Sequence, residues 1–134
     1  MYVIQFLRHM SIIITSEKLI EEIQEEFTHM FPFLKIEFFS KTIIKSKEAI
    51  NKISNRLNFG YADNIGNLKK IVISPLMTVK DFEKDVEKKF GMYMQLYRRS
   101  ANLWLEVTIT DAWTIKQQDE IAHEINIFIN RHQV

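Results

Sequence analysis

The pattern of hydrophobic and polar positions divides the chain into helices and strands. Apolar residues recur every three or four positions in three stretches, which predicts helices over residues 17–31, 79–90 and 115–130. A weaker pattern of the same period predicts a further helix over residues 47–57. In the last helix we expect six residues to face the core, namely Ile115, Ile121, Ala122, Ile125, Phe128 and Ile129.

Alternation of apolar and polar residues predicts strands between these helices. The alternating stretches cover residues 34–39, 92–99 and 103–109, and a short apolar run predicts one more strand over residues 70–74. Because only three residues separate the second and third stretches, we expect these two strands to pair as a β-hairpin. Residues 59–67 are rich in Gly, Asn and Asp, which predicts a loop.

Polar residues stand where three of the helices should begin. Ser16 is a candidate N-cap of the first helix. Thr78 and Thr114 are each followed three residues later by a side chain that can return a hydrogen bond, Asp81 and Gln117. Both pairs have the spacing of a capping box, which predicts that helices begin there.

These elements predict one α+β domain over residues 1–134. Its sheet is expected to be mostly antiparallel, with a C-terminal β-hairpin and with helices packed mainly on one face. Met10 is a second candidate start, which would make residues 1–9 an N-terminal extension, whereas the alternative is an edge strand over residues 2–7. This region has neither the length of a membrane span nor the pattern of a secretory signal, so we expect a cytoplasmic protein with no membrane partner.

Composition narrows the classes of function. The 134 residues include 18 basic and 17 acidic ones, 3 Gly and no Cys. The charge balance argues against an overall polyanion binder, and the lack of Cys excludes disulfides, thiolate zinc sites and a Cys nucleophile. Gly60 and Gly66 have the spacing of neither a phosphate loop nor a dinucleotide loop. No cofactor is predicted, and no catalytic constellation is recognised, which favours a non-enzymatic protein.

The predicted hairpin has one aliphatic and one aromatic face. The aliphatic residues, which include Leu103 and Leu105, are expected to face the core. The opposite face is the candidate interaction surface, and its residues are Tyr93, Tyr97, Arg99, Trp104 and Glu106. An exposed aromatic set of this kind suits a protein partner, so we expect a protein-interaction module that forms a homodimer through this face. Cross-strand pairing within the sheet is the structural alternative.

Single-stranded nucleic-acid binding is the alternative function, and it would use four residues of the same surface: Tyr93, Tyr97, Arg99 and Trp104. It would also use residues 41–70, which hold seven basic and two acidic residues. A helix there would bring Lys45, Lys52 and Arg56 towards one face, where they could contact phosphates. A solvated helix face that balances the acidic first helix explains the same charges.

Glu120 and His123 have the Glu-x-x-His spacing found in di-iron helical bundles. Such sites need two copies of the motif and further Glu ligands brought together in one helical bundle, whereas a single pair at this spacing is far more often part of a solvated helix face. We therefore interpret the pair as part of a solvated helix face, and no metal site is predicted.

Residues 89–120 resemble a family of small uncharacterised bacterial proteins. The resemblance is carried by a Phe-Gly pair before the first hairpin strand, by Leu-Trp-Leu-Glu in the second strand, and by Asp-x-Trp-Thr before the last helix. A looser match extends over residues 31–39, and the family usually has Gly in the hairpin turn where this chain has Ala101. The family has no assigned activity, so the resemblance implies the architecture and no functional residue.

Overall fold

The computed structural model describes residues 11–44, 47–60, 70–108 and 110–132, with the backbone alone for 41–44 and 47–49. These residues form an α+β fold, as predicted. The strands are β1 (Ile12–Thr15), β2 (Leu34–Ile44), β3 (Lys47–Lys52), β4 (Lys70–Ile73), β5 (Tyr93–Ser100) and β6 (Leu103–Glu106). The helices are α1 (Ile20–Met30), α2 (Val79–Phe90) and α3 (Ile115–His132). The predicted extension over residues 1–9 and most of the predicted loop lie outside the described residues.

The main sheet is antiparallel and has the strand order β3–β2–β5–β6, while β1 pairs with β4 in a second antiparallel sheet. The predicted hairpin is confirmed as β5 and β6. Its turn has a positive φ of 53° at Ala101, the first of its two residues. This is the pattern of a type II′ turn, where Gly is usual, so alanine is held there in a conformation it rarely adopts.

One face of the main sheet forms the core. Leu34, Ile36 and Phe38 of β2 are buried together with Met94 and Leu96 of β5. Because side chains alternate along a strand, the residues between them lie on the opposite face. α1 packs against β2, α2 packs against β5, and α3 packs against both strands. The helices therefore lie mainly on one face of the sheet, as expected.

Local capping signals set the ends of α2 and α3. The Thr78 Oγ1 atom accepts a hydrogen bond from the Asp81 backbone N at 3.1 Å. Thr114 Oγ1 accepts from the Gln117 N at 3.1 Å, and Gln117 Oε1 accepts in return from the Thr114 N at 2.9 Å. Gly91 ends α2 with a φ of 66°, in the left-handed region that favours glycine. Both predicted capping sites are thus confirmed.

The expectation that Ser16 caps α1 is wrong. The helix begins at Ile20, and its N-cap residue makes no side-chain hydrogen bond. Instead, the Ile20 N–H donates to the Leu57 carbonyl and the Glu21 N–H donates to the Asn55 carbonyl, both at 2.9 Å. Backbone atoms that follow β3 therefore satisfy the free N–H groups that a side chain usually caps.

The helix predicted over residues 47–57 is also wrong. Residues 47–52 form β3 and pair with residues 39–44 of β2, and the Ile53 N–H extends the pairing by donating to the Phe38 carbonyl at 2.9 Å. The helical pattern of this segment is weak, whereas β2 offers it a complete row of backbone partners. Tertiary pairing therefore overrides the local preference.

Candidate functional site

The five residues predicted as an interaction surface lie together on the sheet face opposite the core. Tyr97 stands directly across from Glu106, and Arg99 stands across from Trp104. Tyr93 lies on the same face of β5, four residues before Tyr97. Of the five, Trp104 is 36% exposed. We call this set the aromatic face.

Neighbouring charged side chains pack onto the aromatic face. Lys35 Nζ lies 5.1 Å from the centroids of both the Tyr97 ring and the Trp104 ring, a distance suited to cation–π attraction. Glu37 Oε1 lies 3.7 Å from Lys35 Nζ and 3.1 Å from Lys52 Nζ. Charges from β2 and β3 thus brace the rings of β5 and β6, so part of this face is occupied by cross-strand contacts within the chain.

Tyr97 and Arg99 each interact with other groups of the same chain, which limits the polar contacts that they can make with a partner. Burial raises the pKa of the Tyr97 hydroxyl, and the Glu37 and Glu106 carboxylates raise it further, with a hydrogen bond to Glu37. Arg99 Nε donates to the Ala101 carbonyl at 3.0 Å, so this guanidinium braces the hairpin turn. The aromatic face therefore offers a partner mainly apolar ring surface, rather than free charge.

In the described part of the basic segment, the helical surface expected for nucleic-acid binding does not form. Because residues 47–52 are a strand, the helical face proposed for Lys52 and Arg56 does not form, and Lys45 lies outside the described residues. Lys52 pairs with Glu37, and Lys70 lies on β4 in the other sheet. The described part of the segment thus gathers no row of free cations beside the aromatic face.

Glu120 and His123 make separate contacts on α3. Glu120 pairs with Lys116 one turn earlier, and the His123 ring lies 5.0 Å from the Phe33 ring. Among the residues that the structure describes, no group of three or more His, Cys, Asp or Glu side chains is arranged to hold a metal ion.

The short edge strand β6 is exposed on both faces, which corrects the sequence interpretation. Leu103 and Leu105, expected in the core, are 66% and 46% exposed. They point to the helix side of the sheet, but none of the described helices covers β6 at that end. An edge strand of sequence Leu-Trp-Leu-Glu that lacks Lys, Pro and a covering helix is one that other chains can pair with.

α3 is rotated relative to the prediction. Its buried residues are Ile115, Gln118, Ala122 and Asn126, whereas Phe128, expected to face inward, is 61% exposed. The buried polar side chains hold neighbouring backbone groups that would otherwise lack partners. The sequence analysis missed Gln118 and Asn126. Both stand at helical spacing with Ile115 and Ala122, so the four residues together form a second stripe along the helix.

Asn126 and Gln118 fasten α3 to the hairpin and to the loop before the helix. Asn126 Oδ1 accepts from the Ala101 N at 2.9 Å, and Asn126 Nδ2 donates to the Arg99 carbonyl at 2.9 Å. Gln118 Nε2 donates to the Thr110 carbonyl at 2.6 Å and to Thr110 Oγ1 at 2.8 Å. These contacts of Asn126 and Gln118 determine which flank of α3 faces β6.

By helical spacing, an apolar flank of α3 faces the side of the sheet on which β6 is uncovered. Asp119 accepts from the Phe33 N at 3.2 Å, so that flank of the helix faces β2. Ile121, Ile125 and Phe128 stand on the opposite flank by helical spacing, which therefore faces β6. Leu103 and Leu105 of β6 are level with this flank: Leu105 pairs with Arg98, which contacts Gln118, and Leu103 directly follows the hairpin turn that contacts Asn126. We call these five residues the apolar edge: Leu103, Leu105, Ile121, Ile125 and Phe128.

A cavity of about 370 Å³ lies at the edge of β5 beyond the end of β6, where residues of both sheet faces and of α2 line it. Its lining includes Phe39, Tyr93, Tyr97, Glu83 and Glu106. Burial, and secondly the charge of Asp111, raise the pKa of Glu83 to about 7 from its ordinary 4.5. Glu83 is therefore a half-buried carboxyl whose ionisation opposes folding.

We expect Glu83→Gln to stabilise the protein at pH 8 by about 1 kcal/mol, a figure reduced for the solvent that still reaches this carboxyl. Because its pKa is higher when folded than when unfolded, the native state binds more protons between pH 4.5 and 7. The stability that this group contributes is therefore present below pH 4.5 and is lost as the pH rises through 7. Urea unfolding at pH 5 and pH 8 measures the difference.

Glu87→Gln is the matched control, because Glu87 is exposed on the same helix one turn later. It removes the same charge without the burial, so its effect should be small at both pH values. Equal effects of the two substitutions at pH 8 would contradict the claim that ionisation of Glu83 opposes folding.

No helix among the described residues is long and apolar enough to cross a membrane. Comparison of the chain with protein-family models, with curated proteins and with solved structures found no match. The resemblance noted for residues 89–120 therefore stays a prediction.

Proposed function

We propose that the chain is a non-enzymatic, cytosolic protein-interaction module that forms a homodimer through the β5–β6 hairpin. The observation that carries the proposal is the exposure of β6 at the edge of the main sheet, with apolar residues on both of its faces. Monomeric proteins often protect such edges with several charged side chains, with Pro or with a covering element. Homodimerisation removes this surface from water by a symmetric contact.

The opposite edge of the same sheet supports this choice of surface. β3 has the sequence Lys-Glu-Ala-Ile-Asn-Lys, with charged residues at both ends. Charge at an edge strand opposes pairing with another chain. The charged edge at β3 is therefore less suited to such pairing than the edge at β6. The aromatic face adds Tyr97 and Trp104, residue types that are frequent at the energetic centres of interfaces.

Sedimentation equilibrium over a range of concentrations tests the proposal. We expect the wild-type mass to rise from that of one chain towards that of two. Trp104→Ala should weaken the association at least tenfold, since it removes the largest side chain of the surface.

Trp113→Ala is the matched control, because Trp113 is the only other tryptophan and is similarly exposed, at 41%, but lies outside the hairpin. It should leave the association unchanged. A mass of one chain at every concentration would end the proposal, and equal weakening by both substitutions would remove the hairpin from it.

A further inference from the structure

We infer that two copies of the chain join by antiparallel pairing of their β6 strands, with Leu105 opposite Leu105 of the second copy at the two-fold axis. The main sheet then continues through both copies, and the apolar edges meet on the helix side. This inference rests on the proposed homodimer and adds to it the strand, the register and the residues that touch.

The backbone of β6 shows which groups are available for a second copy. The Arg99 N–H donates to the Phe33 carbonyl at 2.9 Å, so Arg99 points its backbone groups towards β2. The Val107 N–H donates to the Leu96 carbonyl at 2.9 Å. Val107 and every second residue before it therefore direct their backbone groups towards β5. Because these directions alternate along an antiparallel strand, Leu103 and Leu105 bond inward. Trp104 and Glu106 therefore direct their N–H and C=O groups to the outer edge.

Symmetry leaves few registers for two such strands. A two-fold axis perpendicular to the sheet keeps both sets of helices on one side, and it places residues of the same face opposite each other. With Leu105 on the axis, Trp104 of each copy faces Glu106 of the other, and both pairs form complete hydrogen-bonded pairs. All four outward groups within β6 are used in this register.

The neighbouring registers are less favourable. An axis through Glu106 would place two carboxylates directly opposite each other, which is destabilising across strands. An axis through Trp104 would require Asn102, a residue of the hairpin turn, to take part in the ladder. Only the register centred on Leu105 pairs both outward-directed residues of β6, Trp104 and Glu106, with outward-directed residues of the second β6 and opposes no like charges.

The apolar edge gives this pairing its hydrophobic contact. Leu105 meets its counterpart on the axis, and Leu103 lies on the same side of the sheet. The flank of α3 that carries Ile121, Ile125 and Phe128 lies beside them, so the equivalent flanks of the two copies approach across the axis. Residues that are exposed or half-buried in one chain thereby come together in the pair.

Disulfide trapping tests the register, and the natural lack of Cys makes each introduced thiol the only one in the chain. In Leu105→Cys, the two sulfur-bearing residues would form a non-hydrogen-bonded pair with a Cα separation of roughly 4.5 Å, within reach of a disulfide. We expect a covalent dimer to form in a glutathione buffer and to be lost on reduction. The exposed position of Leu105 accommodates the smaller side chain.

Leu103→Cys is the matched control, since Leu103 lies on the same strand and the same face and is more exposed. Its two copies would be four residues apart along the ladder, about 14 Å, which is too far for a disulfide. We expect Leu105→Cys to cross-link at least ten times faster. As a second, independent pair, Trp104→Cys mixed with Glu106→Cys should give a mixed disulfide.

Each other outcome is decisive. Fastest cross-linking of Trp104→Cys alone would overturn the register. A wild-type dimer whose Leu105→Cys and mixed pairs cross-link no faster than Leu103→Cys would overturn edge pairing while leaving the proposed homodimer. A wild-type protein that stays a monomer at every concentration would overturn both.

Discussion

Replacement of Phe27 by alanine is expected to lower the free energy of unfolding by about 3–5 kcal/mol. The Phe27 side chain is fully buried, and its ring centroid lies 5.1 Å from that of Phe31 and 6.2 Å from that of Phe82. It therefore joins α1 to α2 in the core, and its removal leaves a cavity that a packed interior fills only in part. Urea unfolding followed by circular dichroism measures the loss.

Phe27→Leu separates the cavity from other effects of the substitution. Leucine restores much of the lost volume, so we expect a cost of roughly 1–2 kcal/mol. A loss below 1 kcal/mol for Phe27→Ala would contradict the central place of this ring in the core.

Replacement of Asn126 by leucine is expected to cost about 2–4 kcal/mol. Leucine has a similar volume but leaves the Ala101 N–H and the Arg99 carbonyl without the partners that Asn126 supplies, each at 2.9 Å. The loss of partners for these two part-buried backbone groups carries most of this cost. Because Ala101 is also held at a positive φ, the hairpin turn should lose order, which amide hydrogen exchange of residues 99–102 would detect.

Asn130→Leu is the matched control for this substitution. Asn130 lies on the same helix one turn later and is exposed, so we expect a change within about 0.5 kcal/mol. A similar cost for both substitutions would mean that Asn126 acts through helix propensity and not by fastening α3 to the hairpin.

The sequence was informative where the cause of a structure is local. The capping boxes at Thr78 and Thr114 and the glycine at position 91 lie within a few residues of the helix ends that they set, and those ends are where the pattern predicts them. The shared face of Tyr97 and Trp104 likewise follows from the two-residue period of a strand and the short turn between β5 and β6.

The wrong predictions concern elements whose structure depends on residues that are distant in the sequence. β3 forms because β2 offers it backbone partners, a fact that the helical spacing of Ala49, Ile50 and Ile53 does not contain. The inward face of α3 is set by the backbone groups of residues 99–101 and 110, which recruit Asn126 and Gln118 in place of the larger apolar residues.

The exposure of β6 has the same kind of cause. The alternation at Leu103 and Leu105 predicts a covered face, and it would be covered if α3 lay one strand further along the sheet. α3 instead packs on β5 and β2, so the apolar residues of the edge strand stay uncovered within one chain. Sequence periodicity identifies a face that needs covering, but it does not identify which chain covers it.

Amide hydrogen exchange of residues 103–106 across a dilution series tests the central claim most directly. If β6 pairs with a second copy, the outward N–H groups of Trp104 and Glu106 should exchange more slowly as the concentration rises, while residues 47–52 at the opposite edge should not change. Exchange of Trp104 and Glu106 at the same rate at every concentration, in samples that contain dimer, would contradict it.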